Sequence, residues 1–104
     1  MDAKEFVKKF GWDEAQEISN GIPDKFRFES LGNFCWDMNT YKYIKPRTPR
    51  NSLVNLLDLK TLVDAYELVQ HFGGLDNARN YVKNHRSDYL TLKMAIKLVE
   101  SVDE

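Results

Sequence analysis

The stretch from Asn55 to Leu75, NLLDLKTLVDAYELVQHFGGL, limits what this chain can become more than any other. Leu56, Leu59, Leu62, Val63, Tyr66, Val69 and Phe72 recur at spacings of three and four, the period that gathers side chains on one face of an α-helix. A face that apolar has to be covered, so other elements must pack on it. Asn55 can accept a backbone N–H through its side-chain oxygen, and Asp58 places a carboxylate at the positive end of the helix dipole. At the far end Gly73 and Gly74 can take the left-handed conformation that closes a helix, with Leu75 folding back over the cap. The spacing predicts a helix over 56–72.

With 104 residues the chain is expected to form one domain, 1–104, around a modest core. Hydrophobic residues at 42% and charged residues at 30% are ordinary for a globular protein, and no apolar run approaches the roughly 20 residues of a bilayer span. MDAKEFVKKF carries charges throughout and lacks the apolar block of a secretory signal, so residence in the cytoplasm, without membrane contact, is the expectation. The single cysteine, Cys35, has no partner for an internal disulfide. Fifteen basic and sixteen acidic side chains give a formal charge of −1, which removes any global electrostatic argument for nucleic-acid binding or for DNA mimicry.

Three zones follow along the chain. In residues 2–20, Phe6, Val7 and Phe10 oppose Lys4, Lys8 and Lys9, which reads as a short helix ended by Gly11. Asp13 with Gln16 resembles a capping box for a second helix bearing Ala15 and Ile18, with Trp12 packed at the hinge. Asn20-Gly21 reads as a left-handed stop, and Pro23 turns Ile22 away from helical dihedrals. In residues 26–50 aromatics crowd together and FRF, FCW and YKY alternate, the pattern of a small antiparallel sheet. A short helix from Leu31 to Met38, capped by Ser30, is the rival reading. The run KPRTPRN is a stiff basic connection. In residues 55–103 the long helix is followed by a short one, capped by Asp76 and burying Ala78, Tyr81 and Val82. The last helix, capped by Ser87 or Asp88, has a stripe of Leu90, Met94, Ala95, Leu98, Val99 and Val102. The expected fold is therefore α+β and mostly helical: a C-terminal three-helix core, two short N-terminal helices and a small sheet from the middle.

Candidate chemistry is sparse. His71, His85 and Cys35 do not have the close spacing of a zinc site, and no metal or other cofactor is expected. His71 suits the C-terminal end of the long helix, His85 reads as solvated, and Cys35 reads as a small buried hydrophobe. No nucleophile elbow or phosphate-binding glycine loop is present, and the carboxylates Asp58, Asp64 and Glu67 read as a solvated helix face, so an enzyme is not expected. The constellation that stands out is Trp36, Tyr41, Lys42, Tyr43, Lys45, Arg47 and Arg50, aromatics interleaved with cations. It is open to three readings: a soluble proline-bearing loop, a protein-binding surface, or a nucleic-acid-binding regulator using segment 41–50.

KEFVKKFGWDEA near the start, LKTLVDAYELVQHFGGLDNARNYV and the closing AIKLVESV together resemble small uncharacterised proteins from the early or accessory regions of temperate phages and prophages of enteric bacteria. The likeness covers about two thirds of the chain and leaves out the aromatic middle, Phe26 to Arg50. Its most specific part, L-V-D-A-Y-E-L-V…G-G-L, is a helix with its cap and carries no catalytic residues. What the resemblance implies is context: a non-catalytic accessory protein in a bacterial host cell that binds host or phage proteins, with inhibition of a host defence complex among the modes open to it.

Overall fold

The computed structural model describes residues 1–85 and 90–103. Six α-helices and one three-stranded antiparallel sheet make up the described chain, an α+β fold dominated by helix.

Helices α1 (Ala3–Phe10) and α2 (Trp12–Asn20) meet at Gly11, whose φ of 90° lets a single residue end the first and begin the second. The Asp2 carboxylate caps α1 by accepting the Glu5 N–H at 2.8 Å. Because Gly11 starts α2 two residues earlier than the capping-box reading, Asp13 lies inside the first turn and makes no cap. Gly21 is not a left-handed stop either, having φ −87°. It is needed for space: a Cβ there would lie 2.6 Å from the Tyr43 hydroxyl, which reaches past it to donate to the Ile18 carbonyl.

The FRF segment is not a strand. Pro23 and Asp24 favour a helix start, and α3 (Asp24–Arg27) forms one turn that stacks Phe26 on Phe34 at 4.2 Å. A 3-10 turn over Leu31–Asn33 takes the front of the rival helix, and its remainder is strand β1 (Cys35–Asp37). Strands β2 (Lys42–Ile44) and β3 (Leu53–Asn55) flank β1 in the order β2-β1-β3. Trp36 faces Tyr43 on one side and Val54 on the other.

β3 runs directly into α4 (Leu56–His71), whose first turn is capped by Asn55 accepting the Asp58 N–H at 3.1 Å. Gly73 (φ 91°) and Gly74 (φ 101°) close it. Helix α5 (Leu75–Asn84) starts at once after Gly74, so Asp76 lies in its first turn rather than at the cap. The expected cap of α6 (Leu90–Asp103), Ser87 or Asp88, falls outside the described residues.

Two apolar clusters lie along α4, which at about 1.5 Å per residue is roughly 24 Å long. Its N-terminal half joins Phe6, Val7, Ile18, Phe34 and Val54. Its C-terminal half, with Ala65 and Val69, joins Ala78 of α5 and Leu92, Ala95, Ile96 and Val99 of α6. Trp12 packs against both, stacked on Tyr66 at 4.4 Å with its indole N–H donating to Asp103 at 3.1 Å. Three side chains depart from the expected stripes: Phe10, Leu90 and Met94 are exposed. No described helix is long and apolar enough to cross a membrane.

Candidate functional site

The hairpin β1–β2 is organised by Asp37, a residue that reading the aromatics and cations alone passes over. Its side chain is buried, yet one carboxylate oxygen accepts the Asn39 N–H at 3.0 Å and the other lies 3.6 Å from the Arg50 guanidinium. Its backbone carbonyl accepts the Tyr41 N–H at 2.8 Å, closing the turn over 38–41. The Asn39 bond holds the carboxyl below the usual carboxylate range against the opposing effect of burial, with the Thr40 and Ser52 side chains and Arg50 acting in the same direction as Asn39. One buried anion thus ties the turn to the basic loop. A sequence signal for it exists in Asp37-Met-Asn39-Thr40, the residue types that bond back onto their own turn.

The structure divides the seven expected contact residues. Trp36 and Tyr43 are half-buried and meet edge to face at 4.8 Å, and burial raises the phenol of Tyr43 above its ordinary range. Tyr43 with its inward hydroxyl therefore braces the sheet. Tyr41 is 74% exposed and takes a φ of 54°, alone among the described non-glycine residues in having a positive φ. Lys45 pairs with Glu29 at 3.6 Å and passes over the Phe34 ring. Arg50 is engaged by Asp37. Lys42 and Arg47 are exposed and have no acidic partner among the described residues. Beside the loop a groove of about 580 Å³ runs between Asn33, Cys35, Arg47 and Arg50.

Cys35 at the edge of that groove is a poor nucleophile, because burial and then the Asp58 carboxylate push its thiol above the ordinary range, outweighing the N-terminal amine. His71 lies in the last turn of α4 with its ring edge against Phe72. His85 is more than a solvated side chain: it stacks on Tyr81 at 4.1 Å and its Nδ1 is 2.9 Å from the Tyr81 carbonyl. Among the described residues no three His, Cys, Asp or Glu side chains converge to hold a metal ion. What the hairpin offers is a surface: one projecting aromatic ring, two cations without an acidic partner among the described residues, and a groove beside them.

Comparison with protein-family models, with curated proteins and with solved structures gives no match to this chain.

Proposed function

We propose that the chain is a non-catalytic accessory protein of the phage or prophage kind that docks on a host or phage protein in the bacterial cytoplasm, a host defence complex being one such target. The contact is made by the hairpin and its basic loop, with Tyr41 at the centre and Lys42 and Arg47 beside it. One observation carries this reading. Tyr41 occupies a left-handed turn position where glycine or asparagine is the low-energy choice, and its ring projects into solvent. A bulky residue held there at a conformational cost, without burial to offset it, fits a residue kept for contact. Tyrosine also concentrates in protein-binding hot spots.

Nucleic acid is the weaker reading because Lys45 and Arg50 are already engaged by Glu29 and Asp37, and Trp36 and Tyr43 are committed to the sheet. Lys42 and Arg47, the two cations of this segment without an acidic partner among the described residues, support a salt slope of only about 1.4 to 1.8. Affinity purification of the wild type and a Tyr41→Gly variant from an enteric host tests the proposal. A specific partner recovered by the wild type and lost with Tyr41→Gly supports it. Recovery undiminished by Tyr41→Gly combined with Lys42→Ala and Arg47→Ala overturns the placement of the surface. Tight, salt-steep binding of a labelled single-stranded oligonucleotide overturns the choice of partner.

A further inference from the structure

The second unexplained surface lies at the other end of α4. Leu90 and Met94, one turn apart on α6, are 67% and 57% exposed although the helix has a well-filled apolar side of its own. They open onto a cleft of about 380 Å³ between α5 and α6 that Val82 also lines. Lys83, Lys93 and Lys97 border this cleft, and none has an acidic partner among the described residues. The carboxylate that lines it, Glu100, is held by Arg79 at 3.4 Å in a bridge from α5 to α6, and Arg79 is shared with Asp76 at 3.3 Å, which does not line the cleft. Among the described residues an apolar strip with a cationic border results, in a chain whose formal charge is −1.

We propose that this cleft is a second docking site, which takes a short acidic amphipathic helix of a protein partner. Charge selects the occupant. A second copy docked symmetrically would set lysine against lysine, whereas glutamates and aspartates flanking an apolar stripe would meet Lys83, Lys93 and Lys97. Spacing agrees with it: Leu90 and Met94, one turn apart along a cleft between two helices, match the i and i+4 anchors of a docked helix.

Selection of a displayed library of random peptides, several helical turns long, on the full chain tests this. The expected winners carry Asp and Glu around Leu, Ile, Phe or Met spaced by three and four. They bind at least about tenfold more weakly to Leu90→Ser/Met94→Ser, and to Lys93→Glu/Lys97→Glu, than to the wild type. Both variants alter exposed side chains and should keep the wild-type circular dichroism and melt. The same peptides should bind Tyr41→Gly as tightly as the wild type, which separates this site from the hairpin. Winners lacking acidic residues, winners indifferent to Leu90→Ser/Met94→Ser, or winners lost with Tyr41→Gly overturn the proposal. So does sedimentation of the wild type, but not of Leu90→Ser/Met94→Ser, with phosphatidylserine-containing vesicles, because the site would then be a membrane contact.

Discussion

Replacing Tyr41 by alanine and by glycine separates what its backbone costs from what its ring does. A non-glycine residue in the left-handed region carries about 1–2 kcal/mol of strain, and Tyr41 is at φ 54°. Alanine keeps that strain; glycine removes it but adds about 0.4–1 kcal/mol of unfolded-state entropy to be lost on folding. Both delete the ring with its edge-on contact to Trp36 at 6.4 Å, so that loss cancels between them. The glycine variant should therefore be more stable than the alanine variant by roughly 0.5–1 kcal/mol. In a domain of this size that is a melting difference of about 2–8 °C. Paired thermal melts, supported by urea titrations with unchanged slope, measure it. An alanine variant that melts at or above the glycine variant refutes the strained turn. The two variants should bind a partner equally poorly, since the ring is absent from both; a glycine variant that binds like the wild type removes Tyr41 from the contact.

Other expectations concern the scaffold. Gly21→Ala brings a Cβ to 2.6 Å from the Tyr43 hydroxyl and should cost about 1–2 kcal/mol, much less in a Tyr43→Phe background; equal losses in both backgrounds would show that the hydroxyl is not the obstacle. Gly73→Ala and Gly74→Ala should each lower stability by about 1 kcal/mol in denaturant melts, Gly73→Ala the more because its Cβ also meets the Asn77 amide at 2.5 Å; neither should alter peptide binding. Asp37 has a lowered folded pKa, so its contribution is present above the ordinary aspartate value of about 3.9 and is lost as pH falls through the folded value. Melts of the wild type from neutral to strongly acidic pH should fall more steeply below about pH 4 than those of Asp37→Asn, and parallel curves would dismiss the role of that carboxylate.

The elements legible in the sequence are those whose causes are local. Helix α4 was readable at both ends because its period, its Asn55 cap and its glycine stop lie within one stretch. Where two local signals compete, the glycines win: Gly11 and Gly74, at φ 90° and 101°, set the starts of α2 and α5 and leave Asp13 and Asp76 inside first turns. Strand β3 was not legible, since Leu53–Asn55 has no period of its own and exists through bonds such as Met38 N–H to the Ser52 carbonyl. FRF failed for the opposite reason, its alternation having no sheet to belong to, and Phe28 remains 90% exposed. In the candidate site the residue types were visible but their pairings were not. Lys45 with Glu29 and Arg50 with Asp37 depend on the loop folding back across the sheet.

Asn55 explains how the hairpin surface and the core can be altered independently. Its Oδ1 accepts the Asp58 N–H that begins α4, while its Nδ2 donates to the Gly32 carbonyl of the 3-10 turn at 2.8 Å, so one side chain fixes the sheet to the helix. The Leu56 N–H donates to the Phe34 carbonyl at 3.0 Å and reinforces the same joint. The turn over 38–41 and the loop over 46–50 hang from this joint through Asp37, and their exposed side chains contribute nothing to either apolar cluster. Substitutions at Tyr41, Lys42 and Arg47 should therefore change binding while leaving the melt within a kcal/mol or so of the wild type, and should add to changes at Leu90 and Met94, which share no partners with them. Changes at Asn55 or Asp37 act on both, because those residues hold the surface to the helix that the rest of the chain packs around.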